Sequence, residues 1–149
     1  MKPAITIDRV PDDPLLIETI SKWYREEWGT APQTTAKLIK AFQIIAWEKG
    51  IPVGTAGLYR DVSLLNTYPQ FRRYSPWLGM LYVISEKRLL GIGSLLCNRI
   101  ERQARTQGNK RIYLYTFTAE QMYKKLAWTE LERVLYKNHD TVIMYKNLS

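Results

Sequence analysis

The chain has little sulfur or imidazole chemistry to offer: 149 residues hold one cysteine, Cys97, and one histidine, His139. A lone cysteine cannot form an internal disulfide. A catalytic thiol wants an imidazole partner. Cys97 instead sits in the run Ser94-Leu95-Leu96-Cys97-Asn98, and His139 falls in a polar turn far along the chain. Cys97 therefore reads as a small apolar residue on a helix. One Cys and one His also fall short of the donors of a zinc site, so no metal is expected. No apolar run approaches the ~18 residues that cross a bilayer. Residues 1–10 contain Pro3 and Asp8 but no apolar stretch of the kind a secretory signal needs, so the protein is expected to stay in the cytoplasm. There are no repeats, no low-complexity tract and no long linker.

Charge of one sign is in excess. Twenty-two Lys and Arg against 14 Asp and Glu leave a formal net charge of +8. A basic surface favours polyanions: nucleic acid, lipid headgroups or a phosphorylated cofactor. The charges are scattered in twos, as Arg72-Arg73, Lys87-Arg88 and Lys124-Lys125, and no zinc-finger or RNP pattern accompanies them. No nucleic-acid partner is expected on that pattern. A hydrophobic fraction of 46%, with five Trp and ten Tyr, is enough for one sizeable core. The length is that of a single domain, residues 1–149.

The order of periodicities gives the fold class. Ala4-Ile5-Thr6-Ile7 alternates and predicts a short strand. Asp12-Asp13-Pro14 starts a helix, Leu16, Ile20, Trp23, Tyr24 and Trp28 follow helical spacing, and Gly29 ends it. A second helix is expected over about 34–40. Residues 42–48 and 52–59 read as a hairpin turning at Lys49-Gly50. The polar stretch 60–75 reads as a surface loop. Residues 77–84 are almost wholly apolar and predict a strand buried on both faces. Ile92, Leu96, Ile100 and Ala104 recur at i+4 and predict a helix over 91–108, with Gly108 at its end. Strand 111–115, a short helix 119–126 capped by Thr118, and a hairpin of 131–136 with 142–146 close the chain. The order β-α-α-β-β-β-α-β-α-β-β predicts an α/β fold with a mixed central sheet flanked by helices, and the crossover helix joins two parallel neighbours.

The chemistry concentrates in Arg88-Leu89-Leu90-Gly91-Ile92-Gly93-Ser94, between a central strand and the crossover helix. Glycines without Cβ let a ligand approach the backbone. The first N–H groups of the helix point outward, and its dipole adds partial positive charge, so the turn suits a phosphate or pyrophosphate. Arg88 can add a charged fork to the same group. The pattern lacks the third glycine of a dinucleotide fold and the Gly-Lys-Ser/Thr of a P-loop. By themselves, two glycines are equally compatible with a plain tight turn.

A second element is Gln121-Met122-Tyr123-Lys124-Lys125-Leu126-Ala127-Trp128. In order, spacing and setting, R-x-x-G-x-G followed by this short helix resembles the GCN5-related N-acetyltransferases (GNAT), and the resemblance covers essentially the whole chain. Two positions depart from the family pattern. Ala127 stands where Gly is usual, and Leu89-Leu90 makes the loop more apolar. The resemblance implies that acetyl-CoA is the cosubstrate and lies in a V-shaped opening between strands 77–84 and 111–116. Backbone groups near Leu81, Tyr82 and Val83 would bind the acetyl carbonyl and the pantetheine arm, and the backbone of Arg88, Leu89, Leu90, Gly91, Ile92, Gly93 and Ser94 would hold the pyrophosphate. Tyr123 matches the family's general acid, which protonates the departing thiolate; in a short amphipathic helix it also reads as a core aromatic. A homodimer is a common assembly in the family.

The general base stays open between Glu27, near the end of the first helix, and Glu120, at the start of the last; each also reads as a solvated face residue. Trp23, Tyr24 and Trp28 either line the acceptor pocket or pack in the core. The expected activity is transfer of acetyl from acetyl-CoA to an amine of a small molecule or peptide. The competing reading is a non-catalytic acyl-CoA sensor or scaffold on the same fold.

Overall fold

The computed structural model describes residues 4–148; residues 1–3 of the stretch tested above for a secretory signal lie outside it. Strand β1 is Ile5–Arg9. Helix α1, Pro14–Trp28, opens where the Asp13 carboxylate accepts the N–H of Leu15 at 3.1 Å, with Pro14 in the first turn. It ends at Gly29, whose left-handed φ of 68° returns the chain toward the Arg25 carbonyl. Helix α2, Pro32–Ala41, starts earlier than the sequence suggests, because Pro32 is itself suited to a first turn.

Strands β2, Gln43–Glu48, and β3, Ile51–Tyr59, form the expected hairpin. Lys49 and Gly50 both take positive φ, 51° and 78°, which matches the twist of the flanking strands. Then come α3, Leu64–Thr67, β4, Trp77–Val83, α4, Ile92–Thr106, and β5, Arg111–Thr116. The chain closes with α5, Glu120–Lys125, and the hairpin of β6, Thr129–Tyr136, with β7, His139–Asn147. The seven strands are hydrogen-bonded in the order β1-β2-β3-β4-β5-β7-β6. β4 and β5 are parallel, with Trp77 opposite Tyr113, while β1/β2, β2/β3, β5/β7 and β6/β7 are antiparallel. The mixed sheet and the crossover helix between parallel neighbours agree with the sequence.

Two compact units make up the chain. One takes the residues up to Gly57 and then Met80–Cys97; the other takes Leu58–Gly79 and the chain from Asn98 onward. In the first, Leu16, Ile20 and Tyr24 of α1 pack with Val10, Ile39 and Ile45, and Trp23, Met80 and Tyr82 lie against them partly buried. In the second, Leu64, Leu65 and Phe71 pack with Trp77, Tyr113, Tyr136 and Ile143.

Several expectations need correction. The segment 60–75 is not a plain surface loop: α3 and a 3-10 turn at Pro69–Arg73 carry three of its few apolar side chains, Leu64, Leu65 and Phe71, into the second core. Polar anchors fix it there. The Tyr68 hydroxyl donates to the Leu135 carbonyl, and the Tyr74 hydroxyl donates to Glu132 at 2.7 Å. β4 is not buried throughout; Trp77 and Leu78 are, whereas residues 79–83 are half-buried. Thr118 does not cap α5. The Thr116 hydroxyl does the nearest equivalent, accepting the N–H of Thr118 and of Ala119 at 3.3 and 3.1 Å. The closing hairpin turns on Lys137-Asn138, φ 49° and 65°, so His139 is the first residue of β7 and stacks on Phe117 with centroids 3.9 Å apart.

Candidate active site

The second half of β4 is shaped by one residue. Met80 has φ 53° inside a strand, where a non-glycine residue rarely goes. Its carbonyl is met by buried hydroxyls, from Tyr24 at 3.4 Å and from Thr55 at 3.5 Å. Tyr24 and Thr55 share a short hydrogen bond, and the Gln43 amide donates to the Tyr24 oxygen. Burial pushes the Tyr24 phenol well above its ordinary range, an effect the Thr55 hydrogen bond only partly offsets. The phenol thus stays neutral and able to donate. Beyond Met80, Tyr82 is stacked by Trp23, with ring centroids 5.4 Å apart at 26°, and is met edge-on by Trp28 at 6.1 Å. Desolvation raises the Tyr82 phenol as well, opposed by the nearby Arg88 cation and reinforced by Glu27 and Glu26.

The chain leaves β4 through a 3-10 turn, Ser85–Lys87, pinned where Lys87 Nζ reaches Glu48 at 2.6 Å. Arg88 lies back on the strand: its Nε donates to the Val83 carbonyl at 2.8 Å, its guanidinium carbon is 5.6 Å from the Tyr82 ring centroid, and its Nη2 is 3.6 Å from Glu27. Leu89 then takes φ 63° with its side chain fully in solvent, and Gly91 takes φ 88°. The side chain of Ile92 is buried and anchors the start of α4. Leu95 N–H donates to the Gly91 carbonyl at 3.1 Å. The N–H groups of Ile92, Gly93 and Ser94 precede that bond and belong to the open first turn of the helix. A Cβ at Gly93 would meet nothing within 4 Å. The turn therefore leaves these N–H groups uncluttered at the positively polarised end of the helix, an arrangement that suits an anion.

Beside this loop a cavity of about 430 Å³ is lined by Thr19, Lys22, Trp23, Glu26, Tyr82 and Glu86, among others. The Glu86 carboxyl is held below the ordinary carboxylate range, chiefly by the Ser85 hydroxyl. A larger groove, about 800 Å³, follows α1 from Pro14 to Arg25 and contains none of the residues predicted for the site.

Tyr123 and Glu120 lie in the other unit, on α5. Tyr123 is buried and meets Trp128 edge-to-face, with centroids 6.0 Å apart at 66°. The backbone locks the helix end: Trp128 N–H donates to the Tyr123 carbonyl at 3.0 Å while Ala127 adopts φ 72°. That left-handed conformation is what a glycine at position 127 would take without strain. Glu120 is tied to Arg133 at 2.8 Å and to Lys124 at 3.0 Å. Those two hydrogen bonds, Arg133 first, hold its carboxyl below the ordinary range. A carboxylate so held has two cations in front of it and is poorly disposed to take a proton from an amine.

Three of the predicted residues, Glu27, Tyr82 and Val83, thus each meet the side chain of a fourth, Arg88. The sequence points to Glu27 as a base, to Tyr82 and Val83 together for the pantetheine arm and to Arg88 for the pyrophosphate, and carries no sign that they meet. Sequence reading also missed the Tyr24–Thr55–Gln43 network, for which a buried polar residue in an apolar strand, Thr55, was the available signal.

The family model described as the Acetyltransferase (GNAT) family matches residues 14–128. No curated protein matches the sequence. Among solved structures, an aminoglycoside 6'-N-acetyltransferase complexed with coenzyme A is 17% identical with a TM-score of 0.80, and 97% of each chain is covered. Ard1 from Thermoplasma volcanium is 17% identical with a TM-score of 0.78, again over 97% of each chain. Arabidopsis thaliana Naa50, in complex with the bisubstrate analogue CoA-Ac-MVNAL, is 19% identical with a TM-score of 0.69, covering 95% of this chain and 97% of that one. The chain belongs to the GNAT acetyltransferase family, and its fold is that of these acetyltransferases. No helix among the described residues is long and apolar enough to cross a membrane.

Proposed function

We propose that the protein transfers the acetyl group of acetyl-CoA to an amine of a small molecule or peptide, by direct attack of the amine on the thioester. The observation that carries this reading is the turn at the head of α4. It combines left-handed Gly91, open space over Gly93 and unbonded first-turn N–H groups, inside a chain that matches the family model. CoA supplies the anion that such a turn accepts. In this reading residues 88–94 hold the pyrophosphate, and Leu81, Tyr82 and Val83 offer their backbone to the pantetheine arm as a neighbouring strand would.

An acceptor ammonium has a pKa of about 10 and must lose a proton before it attacks. Glu27 is the better of the two candidate bases, because Glu120 is committed to Arg133 and Lys124. Attack forms a tetrahedral oxyanion, which backbone N–H groups stabilise. Its collapse breaks the C–S bond and leaves a thiolate, to which Tyr123 donates its phenolic proton; the nitrogen releases its remaining extra proton to solvent to give the amide, and solvent returns a proton to Tyr123. One similar structure is named as an aminoglycoside 6'-N-acetyltransferase and another holds a bisubstrate analogue that joins CoA to a peptide, and aminoglycosides and peptide N-termini both belong to the amine class proposed here as acceptor.

Isothermal titration with acetyl-CoA tests the reading, with Gly93→Glu as the probe. A Cβ at Gly93 meets nothing and the position has no positive φ, so the variant folds, while its carboxylate enters the proposed phosphate cradle. Saturable binding by the native chain that the variant loses supports the assignment. No binding by the native chain overturns it. Binding without turnover on any amine leaves an acyl-CoA sensor or scaffold.

A further inference from the structure

The Arg88 side chain is committed three ways: to the Val83 carbonyl at 2.8 Å, to the Tyr82 ring at 5.6 Å and to Glu27 at 3.6 Å. Val83 and Tyr82 lie on the stretch of β4 assigned to the pantetheine arm, and Glu27 is the assigned base. Arg88 is also the charged side chain nearest the glycine turn in sequence, and a guanidinium is the natural fork for a diphosphate. A diphosphate presents more charge and more paired oxygens than one carboxylate, so it competes successfully for the same N–H groups. The Arg88–Glu27 pair is easily broken: both side chains are well exposed, 49% and 39%, and exposed pairs are weak.

We propose that Arg88 is a positioning residue shared between Glu27 and the CoA pyrophosphate. It lies back on β4 and faces the Glu27 carboxylate. The incoming pyrophosphate draws it off, which frees the Val83 carbonyl for the pantetheine arm and the Glu27 oxygen for the acceptor ammonium in one step. Cofactor binding and readiness for the amine are thereby coupled through one side chain. The inference rests on the acetyltransferase reading, since it takes the anion to be that of CoA.

The coupling has a binding signature that needs no turnover. Removing the Glu27 charge removes the competitor for Arg88, so Glu27→Gln binds acetyl-CoA about two- to fivefold more tightly than the native chain, the range of an exposed ion pair. The gain fades at high salt. Glu26→Gln is the control for a general loss of negative charge, because Glu26 makes no ion pair among the described residues. Acetyl-pantetheine, which lacks the pyrophosphate, is the control ligand. Titration calorimetry of these variants, with Arg88→Ala alone and combined with Glu27→Gln, closes the cycle. The expected result is tighter acetyl-CoA binding in Glu27→Gln only, no such gain for acetyl-pantetheine, and no gain when Arg88 is absent. Equal affinities for Glu27→Gln and the native chain overturn the inference, as does an equal gain in Glu26→Gln or with acetyl-pantetheine. Native protein that binds no acetyl-CoA overturns the acetyltransferase reading as well, whereas native binding with an unaltered Glu27→Gln overturns this inference alone.

Discussion

The carbonyl of Tyr82 faces Gly54 so closely that a Cβ at position 54 would lie 2.9 Å from its oxygen and 3.1 Å from Leu96 Cδ1. The contact ties β3 to the second half of β4 and leaves no room for a methyl group. Gly54→Ala is expected to cost about 1–3 kcal/mol, as overpacking does. The melting temperature then falls by roughly 2–4 °C per kcal/mol for a chain of this size. Gly93→Ala, whose Cβ meets nothing, is expected to stay within about 0.5 kcal/mol of the native chain. Thermal unfolding of the two variants side by side checks the contrast.

Ala127 holds φ 72°, a left-handed conformation that costs an L-residue roughly 1–2 kcal/mol. Glycine there relieves the strain but returns part of the gain through the freer unfolded chain. Ala127→Gly is therefore expected to stabilise the protein by about 0.5–1 kcal/mol. A higher denaturant midpoint at unchanged slope is the readout.

Tyr123→Phe keeps the ring that meets Trp128 and deletes only the hydroxyl. With Tyr123 as the general acid, kcat falls about 10²-fold or more while the affinity for acetyl-CoA changes little. Steady-state rates beside calorimetry separate the two. A kcat close to that of the native enzyme would assign Tyr123 to packing alone.

Glu120 titrates below the ordinary carboxylate range because Arg133, and after it Lys124, hydrogen-bond its charged form. Its folded value lies below its unfolded one, so the pairing contributes stability above the usual carboxylate pKa, about 4.3. That contribution is lost as the pH falls through the lower folded value. Glu120→Gln is expected to flatten this part of the stability–pH curve, measured by denaturant unfolding across the acid range.

Much of the fold was legible where local chemistry decides it. Asp13 and Gly29 bound α1 as caps, Lys49-Gly50 turns the first hairpin, and the i+4 series from Ile92 to Ala104 gives the crossover helix. The 60–75 segment misled because its composition is polar, and only the tertiary contacts of Leu64, Leu65 and Phe71 show that it belongs to a core. For the site, the glycine turn and the α5 motif stand out as patterns of neighbours along the chain. The left-handed residues Met80 and Leu89 carry no such mark, since neither side chain favours that conformation. Nor does the meeting of Glu27 with Arg88, which depends on where α1 ends relative to β4.

The turn of the backbone at Met80 divides one strand between two kinds of constraint. Trp77 and Leu78 are buried, so substitutions there are judged by whether the protein folds. Leu81, Tyr82 and Val83 are half-buried, and substitutions there are better tolerated by the fold and bear instead on the cofactor site proposed for this stretch. A one-residue insertion or deletion near Met80 would shift the second half of β4 by one step and turn its side chains to the opposite face of the sheet. This part of the sequence should therefore accept changes of residue far more readily than changes of length.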